Sequence, residues 1–260
     1  MTPFFFGNSA EPLYGVYHPP TSARKTEGVL LCPPFGQEYM RSHRAFRQLA
    51  YLLNKLGYPV LRFDYKGTGD SFGNPDDTSI ENWIDNIVSA SEELIASSNV
   101  ESISLIGLRL GGLLATYACT RLDNAKTLVL WDSVVSGNCY ISELKEQIAA
   151  SSEHDSNFLD ESGNLHFNGF PILKKHIEAL EHLDLLSLTP NAKRVIQITS
   201  SENTFQTELK EHWNSLPNAT YQCVPAPGDW NYVDDFGGIL LPQQVIQAIV
   251  ECFSQAEGDK

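Results

Sequence analysis

The residues best placed for chemistry lie in Gly107-Leu108-Arg109-Leu110-Gly111. An apolar β-type run, Ile103 to Ile106, leads in, and a helical run through Gly112, Leu113, Leu114 and Ala115 leads out. Strand, tight turn and helix with glycines at this spacing make the frame G-x-S-x-G, which lifts a serine Oγ clear of the backbone as a nucleophile. Here the central residue is Arg109. A guanidinium cannot attack a carbonyl, but it is permanently charged and offers a planar fork to carboxylate or phosphate. Set at a helix N-terminus in a cleft, it either pairs with an internal acid (Asp132, Glu202 or Asp229) or clamps the anion of a ligand.

The elements that must hold this turn follow from hydrophobic periodicity. Strands are expected over 4–6, 13–18, 28–32, 59–64, 102–106, 127–131, 194–199 and 220–224. Helices are expected over 42–56, 79–96, 110–122, 204–215 and 242–255. Repeated β-α units after two starting strands predict an α/β fold: an eight-stranded, mostly parallel sheet with helices on both faces. The interior runs VLL, PVLRF and TLVLW are continuously apolar, as strands buried on both faces require. No strand is expected between 133 and 189, where two amphipathic stretches, 141–150 and 171–180, flank the polar SSEHDSNFLDESGN. The division is therefore a core of 1–133 and 190–260 with a helical lid insert over 134–189, beside the carboxyl ends of the strands.

Composition narrows the partners. The chain has 260 residues, 42% hydrophobic and 19% charged, enough for one α/β domain with a full core. A formal net charge of −14 argues against nucleic acid and anionic membranes, both of which need a basic face. No run approaches the roughly 20 apolar residues of a membrane span, and MTPFFFGNSAEP lacks a signal peptide's basic start. Five scattered cysteines without a C-x-x-C pair read as reduced thiols and point to the cytoplasm.

With these elements in order, further motifs match a known family. LLCPPFGQE resembles an oxyanion-hole loop after the third strand, and RFDYKGTGDSFG resembles the R-x-D-x-x-G-x-G-x-S-x-G turn after the fourth. With GLRLGG at the elbow, nearly the whole chain resembles the α/β-hydrolase fold. CPPFGQEYMRSHRAFRQLA, LVLWDSVVSG and GDWNYVDDF are most similar to the serine-aminopeptidase-like hydrolases of bacterial exosortase or secondary-metabolite gene clusters.

The resemblance implies a nucleophile at the elbow, an acid after a late strand and a histidine after the last one, in that order. Arg109 holds the first place, and Asp132 and Glu202 are candidates for the second. The loop PAPGDWNYVDDFGG after YQCV contains no histidine, so the triad is expected to be degenerate. Phe35, Glu38, His43, Leu110, Trp230 and Asn231 are assigned with Arg109 to the ligand-facing cleft. Trp230 and Asn231 stand where the histidine is expected, either walling a pocket or filling vacated space. Cys32 ends an apolar strand and reads as a small core residue, and Asp64 and Ser71 read as ties of the glycine-rich turn. No metal or cofactor is expected: His176 and His182 fall on different helix faces, and there is no P-loop or G-x-G-x-x-G. The expected function is that of an esterase, thioesterase or acyltransferase relative in acyl or small-molecule metabolism, its elbow carrying Arg109. The alternative is a non-catalytic relative that binds an anionic or acyl ligand, or a protein partner from a biosynthetic cluster.

Overall fold

A computed structural model describes residues 1–151, 159–231 and 240–255. The polar stretch around His154, residues 232–239 and residues 256–260 lie outside them. The strands are β1 (Thr2–Phe6), β2 (Leu13–His18), β3 (Glu27–Cys32), β4 (Val60–Phe63), β5 (Ser102–Leu108), β6 (Ala125–Trp131), β7 (Leu165–Phe167), β8 (Phe170–Ile172), β9 (Arg194–Thr199) and β10 (Ala219–Cys223). The helices are α1 (Gly36–Lys55), α2 (Ile80–Ser98), α3 (Leu110–Cys119), α4 (Gly137–Ser151), α5 (Lys174–Leu180), α6 (Thr204–Trp213) and α7 (Gln243–Gln255).

Eight strands form one sheet in the order β1-β2-β4-β3-β5-β6-β9-β10. β1 and β2 are antiparallel to their neighbours and the rest run parallel, as the apolar runs imply. Two cores result, one on each face. Leu30, Leu61, Leu105 and Leu128 point to the side of α2 and α3, while Val29, Leu31, Val60 and Val129 point to α1 and α7. The central strands are thereby buried on both faces. Ser79 caps α2 reciprocally with Asn82, and Asn99 ends it in the left-handed conformation at φ 51°.

The insert departs from the expectation of helices alone. β7 and β8 pair as a hairpin over 165–172, so α5 starts at Lys174 rather than 171. The turn is Asn168-Gly169, both at positive φ (49° and 84°), a dipeptide that fits a tight two-residue hairpin turn. α1 also begins six residues before the expected 42, directly after Pro33-Pro34-Phe35. Its first turn therefore contains Glu38, where a carboxylate meets the positive end of the helix dipole. Among the described residues, no helix is long and apolar enough to cross a membrane.

Candidate functional site

The turn between β5 and α3 sets Arg109 at φ 51° and ψ −121°, a backbone conformation that side chains rarely adopt. Neighbouring backbone holds it there: Arg109 N donates to Trp131 O at 3.1 Å, and its carbonyl accepts from Val134 N at 3.1 Å and Gly112 N at 3.0 Å. Gly107 and Gly111 make the turn possible. A Cβ on Gly107 would run into Gly111 and Gly112, and one on Gly111 into the carbonyls of Cys32 and Pro33. The start of α3 thus lies directly against the loop leaving β3, and Arg109 stands between the two.

The Arg109 side chain is largely buried and satisfied from within the protein. Its Nε donates to Glu38 Oε1 at 2.9 Å, and Nη2 donates to both Glu143 oxygens at 2.7 and 2.9 Å. Its guanidinium carbon also lies 5.6 Å from the Tyr140 ring centroid. Glu38 is fully buried and accepts two further bonds, from Asn231 Nδ2 at 3.0 Å and from the Tyr140 hydroxyl at 3.3 Å. Burial pushes the Glu38 carboxyl up, against the downward pull of Arg109. Burial also works against the charge on Arg109, but the carboxylates of Glu38 and Glu143 outweigh it and hold the guanidinium protonated. The Tyr140 phenol is pushed well up by burial and then by Glu38, so it remains a donor.

The internal partners of Arg109 are therefore Glu38 and Glu143 in place of Asp132, Glu202 or Asp229. Glu202 and Asp229 are exposed and stand outside the network. Asp132, at φ 44° just after β6, has other donors: Ser200 N at 2.6 Å, Ser200 Oγ at 2.7 Å and Trp230 Nε1 at 3.3 Å. Trp230 is buried, edge-on to Trp131 at 5.4 Å between ring centroids. Its indole N–H donates as a histidine N–H does, but the ring offers no lone pair to take up a proton.

The remaining sequence candidates separate. Asn231 joins the Glu38 network, and its carbonyl accepts from Asn168 Nδ2 of the β7–β8 turn at 3.0 Å. Phe35 caps α1, stacks on Trp83 at 5.2 Å between ring centroids, and lines an apolar cavity of about 350 Å³ with Pro34, Met40 and Phe170. Leu110 is buried in the core at the start of α3 and does not line the cleft beside Arg109. His43 lies on another side of α1, in a separate cavity with Arg62. Cys32 is fully buried and burial drives its thiol far up, while Ser133 is buried with its hydroxyl donating to Val134 O at 3.0 Å. Ser71 ties the glycine-rich turn, donating to Asp64 O at 2.6 Å and accepting from Tyr14 N at 2.8 Å. Glu143 and Tyr140 are the residues the sequence did not reveal. Their spacing of three on α4 puts them on one helix face, but nothing local marks that face as the one meeting Arg109. The cleft left beside Arg109 is only about 50 Å³, lined also by Ser133, Cys139 and Phe205.

The architecture is shared with known hydrolases. A structure of Est1E from Butyrivibrio proteoclasticus with ferulic acid bound has a TM-score of 0.69 at 15% identity, covering 98% of each chain. Alpha/beta hydrolase domain-containing protein 10 from mouse has a TM-score of 0.63 at 18% identity, covering 99% of each. Among curated proteins, the mitochondrial palmitoyl-protein thioesterase ABHD10 of Homo sapiens is 29% identical over 94 residues, 36% of this chain. That match spans 29% of the relative's length. No family model matches the chain. The fold is that of the α/β hydrolases.

Proposed function

We propose that this chain is an α/β-hydrolase-fold protein of acyl or small-molecule metabolism that binds an acyl-type ligand without serine hydrolysis. The observation that carries the reading is the Arg109–Glu38 pair at the elbow, 2.9 Å apart, where this fold otherwise presents a nucleophile. Arg109 takes the nucleophile's place, and Trp230 takes the histidine's place against Asp132. Among the described residues at the elbow, three steps of acyl transfer lack an agent: attack on the carbonyl, removal of the nucleophile's proton, and its return to the leaving group.

The ligand class follows from the cleft. Arg109 is already balanced by two carboxylates, so the elbow has no spare positive charge for an anion. The cavity of about 350 Å³ beside the loop after β3 is lined by Phe35, Met40, Phe170 and Pro171, which suits an uncharged acyl chain or aromatic acyl group. The insert serves as its cover, with Phe170 packed against Gly36. The curated relative is named a palmitoyl-protein thioesterase and one structural neighbour holds ferulic acid, which favours an acyl group over other apolar ligands. A reducing compartment accords with five free cysteines.

Two measurements test this together. Fluorophosphonate probes should label no serine, and p-nitrophenyl acetate turnover should stay at background. Methyl octanoate or ethyl ferulate should raise the melting temperature without being consumed, and Phe170→Asp should remove that shift. Robust labelling of any serine, or steady turnover of either ester, overturns the reading.

A further inference from the structure

Arg62 is a charged residue in the buried strand β4, and its side chain lines a cavity of about 260 Å³ between α1 and strands β2 to β4. None of the lining residues belongs to the cleft at Arg109. Much of the wall is apolar, with Val16, Leu31 and Phe46 among its members. Arg62, His43, Tyr39, Ser42 and the acids Asp64 and Asp70 supply its polar lining.

The charge of Arg62 has no carboxylate partner among the described residues. Its Nε donates to His18 Nε2 at 3.1 Å, and none of the ion pairs there includes it. The acids on the same wall are Asp64 and Asp70. Asp64 is occupied, accepting from the Tyr39 hydroxyl at 2.7 Å and from Asp70 N at 3.0 Å. Asp70 is exposed at the rim. His18, held neutral by burial and by Arg62 with its pKa lowered to about 4, contributes no compensating negative charge. Beyond the Arg62–His18 contact, Arg44 and Arg47 line an adjoining open groove with His18. Within a chain of net charge −14, Arg62 on the cavity and Arg44 and Arg47 on the groove next to it form a local cluster of positive charge. Asp64 acts on Arg62 through space, but among the described residues no carboxylate forms an ion pair with the guanidinium, and a bidentate oxyanion is the group that fits its free edge.

We propose that this cavity binds a compact organic anion, its carboxylate or phosphate on Arg62 with His43 and Tyr39 beside it, and its apolar body against Val16, Leu31 and Phe46. At about 30 Å³ per water, the cavity holds roughly nine water-sized volumes, the scale of a single aromatic ring with its acid group. Such a site stands apart from the cleft at Arg109; it shares Tyr39 with the acyl cavity but rests on Arg62, which that cavity lacks.

Calorimetric titration of the full chain with benzoate and with phenyl phosphate tests it, with benzyl alcohol as the uncharged control. At least one anion should bind, with benzyl alcohol weaker by about tenfold or more. Arg62→Gln should weaken the anion by about tenfold or more. Val16→Phe, which fills the cavity beside Arg62 without adding or removing a charge, should abolish binding and carries the test if Arg62→Gln fails to fold. Glu143→Gln should leave the affinity unchanged. Binding of neither anion overturns the proposal. So does binding that survives Arg62→Gln and Val16→Phe, and if Glu143→Gln then strengthens it, the anion sits on Arg109.

Discussion

Arg109 Nε and Glu38 Oε1 lie 2.9 Å apart and join the turn after β5 to the first turn of α1. Glu38 is sealed from solvent and Arg109 nearly so, with 1% and 15% of their side chains exposed. Such a pair is weak support for net stability, because desolvating two charges offsets most of their attraction, yet breaking it leaves one charge stranded. Its effect here is positional. The guanidinium is held across the turn by a carboxylate that Asn231 and the Tyr140 hydroxyl keep in place.

Removing one partner should therefore be costly and removing both should not. Arg109→Ala leaves Glu38 buried opposite no cation and should lower unfolding free energy by about 3–5 kcal/mol. The double variant Arg109→Met with Glu38→Met should recover most of that loss. Urea melts of the three proteins decide it, and a double variant as unstable as Arg109→Ala contradicts the account.

Glu143 should behave differently although it binds the same guanidinium. Its side chain is 42% exposed, so solvent screens the pair and Glu143→Gln should cost only about 0.2–1 kcal/mol. Because Glu143 ties α4 to the elbow, the same variant should speed proteolytic cleavage within the insert. An unfolding loss as large as that of Arg109→Ala would place the main support of Arg109 on Glu143 instead of Glu38.

His18 gives the protein a defined pH response. Burial, then the charge of Arg62, lowers its pKa from 6.5 to about 4, so the fold favours the neutral ring. Its contribution is complete above pH 6.5 and is lost as pH falls from there through about 4, where the unfolded chain takes up a proton more readily. His18→Gln keeps an acceptor for Arg62 Nε but does not titrate. Wild type should lose more melting temperature than His18→Gln across this window, and parallel curves would remove His18 as the cause.

The sheet was legible because buried strands must be apolar on both faces, and runs such as Thr127–Trp131 in β6 have no other comfortable place. The hairpin was missed, although Asn168-Gly169 stands between Leu165-His166-Phe167 and Phe170-Pro171-Ile172, because strands of three residues are too short to show a period and the helical spacing after Pro171 reads as an amphipathic stretch over 171–180. The exchange of partners at Arg109 was not legible. Which acids reach it depends on α1 starting at Gly36 and on how α4 returns over the sheet, and neither is a local property of the chain. The same early start moves His43. Five residues after Glu38, it sits about 140° around the helix and faces a different cavity.

The Trp230–Asp132 contact gives the sharpest test of the elbow. Asp132 is already oriented by Ser200 N and Oγ, at 2.6 and 2.7 Å, and Trp230 Nε1 reaches it at 3.3 Å. A histidine in that place can donate to Asp132 through one nitrogen and accept a proton through the other, which tryptophan cannot do. Arg109→Ser with Glu38→Gln restores a hydroxyl at the turn and avoids a stranded buried carboxylate, but leaves no base. That double variant should remain unlabelled by fluorophosphonate, with p-nitrophenyl acetate turnover at background. Adding Trp230→His should bring labelling of the introduced serine and measurable turnover, still well below a working esterase because the small cleft of about 50 Å³ restricts substrate. Labelling without the histidine would show that another base serves the turn. If all three changes fold and still give none, the absence of histidine is not what keeps this elbow from serine chemistry.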